Sequence, residues 1–176
     1  MTSPTIRIVV ADANVLINLM HVARLGLCAE LPGLEFMVPD HVREEITVPA
    51  QRIELDRALD SGLMQLASIT DPGDIGLFAD LITRLGRGEA ACLVLAAKHG
   101  WSVASDEKRR FRGEAVSRIG ADRIFGTADL YIRAVRAGRL TIEEADTDKE
   151  TLEERSFKME FSSFREVLAN LEEDGL

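Results

Sequence analysis

The stretch Ile6-Arg7-Ile8-Val9-Val10-Ala11-Asp12-Ala13-Asn14-Val15-Leu16-Ile17-Asn18-Leu19-Met20 decides the fold class. Ile6 to Val10 is a short β-branched run that ends at Asp12, and Val15 to Leu25 behind it is compatible with a helix. The reading is strand, loop, helix. The same stretch holds the longest apolar run of the chain, VVADANVLINLM, and Asp12, Asn14 and Asn18 interrupt it. Nothing therefore approaches the ~20 consecutive apolar residues of a membrane span. Ahead of it, MTSPTIR lacks a basic region followed by an apolar stretch and a small-residue cleavage site, so no secretory signal is expected and the expected location is cytoplasmic.

Outward from this unit the pattern repeats. Leu34 to Val38 reads as a second strand closed by Pro39, with a helix over Asp40 to Ile46 capped by Asp40. Leu63 to Ile69 is a third strand between Ser61-Gly62 and Asp71-Pro72-Gly73. Helices follow over Ile75 to Leu85 and Glu89 to His99, separated by Gly86-Arg87-Gly88. Trp101 to Ala104 is a fourth strand, Glu107 to Ile119 a helix, Arg123 to Phe125 a fifth strand and Ala128 to Ala137 a helix ended by Gly138. Alternating strands and helices predict an α/β sandwich with a mainly parallel central sheet.

A chain of 176 residues suits one ordinary domain. Its 46 % hydrophobic and 29 % charged residues exclude a disordered chain and a disulfide-built miniprotein. Cys28 and Cys92 lie in apolar stretches without CxxC spacing and are expected to be buried and reduced. A net charge of -9 is unfavourable for nucleic acid until it is divided along the chain. Residues 101–140 carry 9 Lys and Arg against 5 Asp and Glu, and residues 141–176 carry 4 against 12. A cationic stretch from Lys108-Arg109-Arg110-Phe111-Arg112 thus precedes an acidic one. In the latter, Thr141-x-x-Glu144 and Ser163-x-x-Glu166 are capping boxes. Phe157, Phe161, Phe164, Leu168 and Leu171 fall at helical spacing, a stripe expected to dock on the body of the domain in preference to forming a homodimer or partner surface.

In an open parallel sheet, function gathers at the carboxyl ends of the strands. Asp12 ends the first strand, Glu45 lies in the helix after the second, Glu89 opens a helix and Asp106 follows the fourth strand. Each has a plain structural use: a cap for Asp12, a solvated face for Glu45, the helix N-terminus for Glu89 and Asp106. Converged, four acids would repel unless a hard divalent cation, Mg²⁺ or Mn²⁺, joined them. The three histidines, His21, His41 and His99, form neither an HxH pair nor a zinc pattern; His41, four residues before Glu45, reads as a supporting or surface residue. There is no GxGxxG after the first strand and no GxxxxGK[ST], so nucleotide binding of those kinds is not indicated.

Four segments in order, VVADANVLINL, VPDHVREEI, LGRGEAACLVLAAKHG and VASDEKRRFR, resemble the motif series of the PIN-domain family, the metal-dependent nucleases that include VapC-like toxins. The resemblance runs from about Ile6 to about Gly138. It implies a PIN-like three-layer α/β/α sandwich over residues 1–140, with residues 141–176 as an acidic helical extension. It also implies Mg²⁺ or Mn²⁺ held by Asp12, Glu45, Glu89 and Asp106, with Glu107 as the second candidate in the fourth place and Asp129 as a weaker fifth acid. Glu45 is preferred to Glu44 because the acid directly precedes an aliphatic residue, here Ile46. Asn14 and Ser105 are the neighbouring polar residues, and Lys108, Arg109 and Arg112 would supply phosphate contacts unless their run is a solvated helix face. The implied activity is a ribonuclease that attacks RNA with metal-activated water, and the implied partners are RNA and an antitoxin protein. The alternative is a PIN-like scaffold that binds RNA or protein without cutting.

Overall fold

A computed structural model describes residues 6–173. The leader-free reading of MTSPT and the last three residues of the acidic extension lie outside them. The strands are β1 (Arg7–Ala11), β2 (Leu34–Pro39), β3 (Gln65–Ala67), β4 (Ser102–Ala104) and β5 (Ile124–Phe125). The helices are α1 (Ala13–His21), α2 (Leu27–Glu30), α3 (Asp40–Glu45), α4 (Pro49–Asp60), α5 (Pro72–Leu81), α6 (Arg87–His99), α7 (Arg110–Ile119), α8 (Thr127–Arg136), α9 (Ile142–Glu154) and α10 (Phe164–Glu173). None of them is long and apolar enough to cross a membrane.

The five strands form one sheet in the order β3-β2-β1-β4-β5, and every pairing is parallel. The chain leaves β1 toward β2 and leaves β4 toward β5, so the strand order reverses between β1 and β4. With right-handed crossovers this reversal sends the connecting helices to opposite faces and opens a crevice at the carboxyl ends of those two strands. Helix α6 packs on β1, β2 and β4, while α1 packs against α4, α8 and α9. This is the parallel α/β sandwich that the alternation predicts, in the three-layer form that the resemblance implies. β1 is central and buried at Val9, Val10 and Ala11, and α6 is buried at Gly88 and from Ala90 through Ala96. A helix apolar on all sides can sit only between other layers. It stops at Gly100, whose φ of 69° is the left-handed cap that glycine adopts without strain.

Several local expectations are corrected. Asp40 does not cap α3: Pro39 holds the cap position, and Asp40 Oδ1 accepts from the next backbone N–H, that of His41, at 2.8 Å. The helix expected from Glu107 begins at Arg110, so Lys108 and Arg109 precede it. The stripe from Phe157 to Leu171 is not one helix, because α9 ends at Glu154 and α10 begins at Phe164.

The acidic extension packs on the body. Phe164 and Leu168 are buried, and the Phe164 ring stacks on Tyr131 at 5.4 Å. Asp148 of α9 is buried and accepts from Arg24 Nε at 2.7 Å and from the Tyr131 hydroxyl at 2.9 Å. The Thr141–Glu144 box forms as predicted, with both reciprocal bonds made.

Candidate active site

The register places Ala11 beside Ala104, so the next residues, Asp12 and Ser105, emerge side by side at the crevice. The Asp12 N–H donates to Ala104 O at 2.9 Å, extending the ladder by one residue. Its side chain turns back to α1, where Oδ1 accepts from Ala13 N at 2.8 Å, and Oδ2 accepts from Ser105 Oγ at 3.1 Å. Asp12 is 3 % exposed. Burial pushes its carboxyl up to about 7 against the lowering by the Ala13 N–H, and the charges of Glu89 and Glu45 push the same way. The cap and the candidate ligand are thus one residue.

Glu45 is the last residue of α3, and its Oε1 accepts from Gly88 N at 2.7 Å. A Cβ on residue 88 would stand 2.9 Å from Glu45 Cδ, so this approach requires glycine. Glu89 sits one residue on, at the third position of α6, where Oε2 accepts from Gly86 N at 2.9 Å. Burial raises the Glu89 carboxyl, opposed by the Gly86 N–H, with Glu107 and Glu45 raising it further. Asp12, Glu45, Glu89 and Glu107 therefore share one electrostatic neighbourhood. Each of the first three is steadied by a backbone N–H.

Asp106 faces elsewhere. Its Oδ1 accepts from Thr127 N at 2.7 Å, and its Oδ2 accepts from Thr127 Oγ1 at 2.6 Å and Asn18 Nδ2 at 3.0 Å. Burial raises it, the Thr127 and Asn18 donors lower it, and Asp129 is the carboxylate that acts on it. The loop after β4 thus splits its two acids, with Glu107 toward Glu89 and Asp106 toward α8.

Asn14 and Ser105 brace this loop. Asn14 Oδ1 accepts from Asp106 N at 3.3 Å, and Ser105 Oγ also accepts from Glu107 N at 3.3 Å. Lys108 pairs with Glu160 of the extension, while Arg109 and Arg112 are exposed. His41 packs on Phe78 with tilted rings whose centroids are 4.5 Å apart, and its Nδ1 lies 2.8 Å from Asp40 Oδ1. Among the described residues it makes no hydrogen bond or ion pair with any of the four acids.

No lysine, arginine or histidine pairs with Asp12, Glu45, Glu89 or Asp106 among the described residues. Nor, among those residues, do any three His, Cys, Asp or Glu side chains form a group closed enough to hold a metal ion as they stand. Like-charge influence groups Asp12 with Glu45 and Glu89, while the hydrogen bonds of Asp106 run to Thr127 and Asn18. Sequence reasoning missed Gly88, Asn18 and Thr127. Asn18 lay in view as a polar break in the apolar α1, and Thr127 is a wholly buried polar residue after the last strand.

No curated protein matches the chain. A family model described as PIN domain matches residues 8–173, reaching through α9 and α10 as well as the sheet. PIN domains are in general nucleases that use divalent metal ions. With nearly the whole chain inside that match, and with the acids of β1, α3 and α6 drawn to the crevice of a parallel sheet, this protein belongs to the PIN-domain family.

Proposed function

We propose that the chain is a ribonuclease that hydrolyses RNA phosphodiesters with Mg²⁺ or Mn²⁺ held around Asp12, Glu45 and Glu89, with Glu107 and Asp106 at the margin of the site. One observation carries this reading: the 3 % exposed Asp12 carboxylate has two like charges acting on it and no cationic partner among the described residues. Such an arrangement costs stability and marks a site prepared for a ligand of opposite charge. The donor set is all oxygen and hard, which fits Mg²⁺ or Mn²⁺ and not zinc.

When bound, such an ion makes water a nucleophile near neutral pH and neutralises charge developing on the phosphodiester. The chain's own residues provide orientation. Ser105 Oγ and Ala13 N fix both oxygens of Asp12, Gly88 N fixes one oxygen of Glu45, and Gly86 N fixes one of Glu89. Arg109 and Arg112 supply cations for phosphate beside the acids.

The test is cleavage of end-labelled single-stranded RNA with Mn²⁺, with EDTA, and by Asp12→Asn. Water attack leaves 5′-phosphate and 3′-hydroxyl ends. Cyclic phosphate products, or cutting that survives EDTA, would overturn the reading. A non-cleaving PIN scaffold that binds RNA or protein is the second reading, favoured by the open spacing of the carboxylates. Family membership supports two further steps, a cytoplasmic location and control by an antitoxin protein.

A further inference from the structure

The segment between α9 and α10 faces the loop after β4 across a cleft of about 480 Å³. Its wall is apolar at Phe157, Met159 and Phe161, which are half-buried although they belong to no helix. The Phe161 ring is anchored edge-on against the buried Phe164 at 5.0 Å. Met159 also packs in part on the core while lining the cleft, and Phe157 is left to the cleft. Across it stand Glu107, Asp129 and Arg112. Lys108 is occupied by Glu160, whereas Arg112 and Lys158 have no ion-pair partner among the described residues.

We infer that this cleft holds one unpaired nucleobase of a single-stranded RNA, stacked on Phe157 and Met159, next to the position of the scissile phosphate at the carboxylate site; the inference rests on the ribonuclease reading. The size falls in the range of small-molecule sites of about 300–1,000 Å³ and is too small for a folded partner. A flat apolar wall recognises the π-face that every base carries, and only an unstacked base can present it. The opposite wall offers carboxylate acceptors, Glu107 and Asp129, which favour bases with an exocyclic amino group, cytosine among them, over uracil. Arg112 and Lys158 provide the charge for the attached phosphate. The acidic extension thereby completes the substrate side of the site.

The test uses the full chain with ¹³C-methyl methionine in EDTA, so that it reads binding without cleavage. Of the five methionines, Met159 lines the cleft, whereas Met20 and Met64 are buried in the core. Cytidine 5′-monophosphate should shift the Met159 methyl resonance upfield and leave Met20 and Met64 in place. Uridine 5′-monophosphate should bind several-fold more weakly, and ribose 5-phosphate should produce no shift. Phe157→Ala should weaken the cytidine nucleotide about tenfold, as loss of one base–aromatic stack does. Phe157→Leu keeps apolar volume and should weaken it as well, which separates stacking from packing. A Met159 methyl that ignores the cytidine nucleotide, or responds equally to ribose 5-phosphate, overturns the inference. Normal nucleotide shifts in a chain that never cuts RNA would overturn the ribonuclease reading alone.

Discussion

Asp12 and Asp106 follow adjacent strands, both largely withdrawn from water, yet their surroundings assign them opposite work. Asp12 receives two donors, from Ala13 and Ser105, while Glu89 and Glu45 act against it. Asp106 receives three, two from Thr127 and one from Asn18. A carboxylate saturated with donors ties elements together, here α1 and the start of α8 to the loop after β4. One short of donors and crowded by like charge is stabilised by protonation or by a bound cation. Place in the chain makes both of them candidates, and the donor count separates them.

The largest expected effect falls on Asp12. Asp12→Asn should reduce cleavage by on the order of 10³-fold, since a group holding the metal is worth several kcal/mol in the transition state. In EDTA the same variant should be more stable than the parent by about 2 kcal/mol, raising the melting midpoint by about 4–8 °C. The pH dependence follows from a folded value near 7 against 3.8 unfolded. The parent's extra stability is present below about pH 4 and is lost as pH rises to about 7, whereas Asp12→Asn should stay flat through that window. Thermal melts from pH 4 to 8 read this directly. Mg²⁺ should stabilise the parent and leave the variant almost unmoved.

Asp106→Asn should act with the opposite sign. An amide cannot accept from all three donors, so a loss of about 2 kcal/mol in chemical denaturation is expected, with or without metal. If both aspartate variants shift stability in one direction, the distinction between them fails. Gly88→Ala is subtler, because the added Cβ meets the Glu45 carboxylate and displaces it. Cleavage should fall about tenfold, at the low end for residues that support a ligand, while the melting midpoint stays within a degree or two. Smallest is Tyr131→Phe, which deletes the hydroxyl donor to Asp148 and should cost about 1 kcal/mol without changing cleavage.

The sheet was legible because β1 is buried on both faces at Val9, Val10 and Ala11 and carries the β-branched run Ile8-Val9-Val10. Helix α4 was not, since it buries only Leu55 and Ala58 and is held by Arg43, whose guanidinium bonds both oxygens of Asp56 at 2.7 and 3.0 Å. An ion pair leaves no period in a sequence. Asp12 and Glu89 could be picked from a strand end and a helix start, and Glu45 from the resemblance, whereas the bonding of Asp106 depends on Thr127, 21 residues away. Gly88 was visible as a glycine but not as the donor to a glutamate 43 residues earlier.

The bond between Arg24 and Asp148 joins positions 124 apart, and Ser105 reaches Asp12 across 93. During synthesis, the first acid leaves the ribosome long before the serine that orients it, and the helix that clamps α1 and α8 emerges later still. Folding dominated by such distant contacts waits for most of the chain. Under the proposed ribonuclease activity, the chain would in this way be kept from assembling its carboxylate site beside the message that encodes it until translation is nearly over.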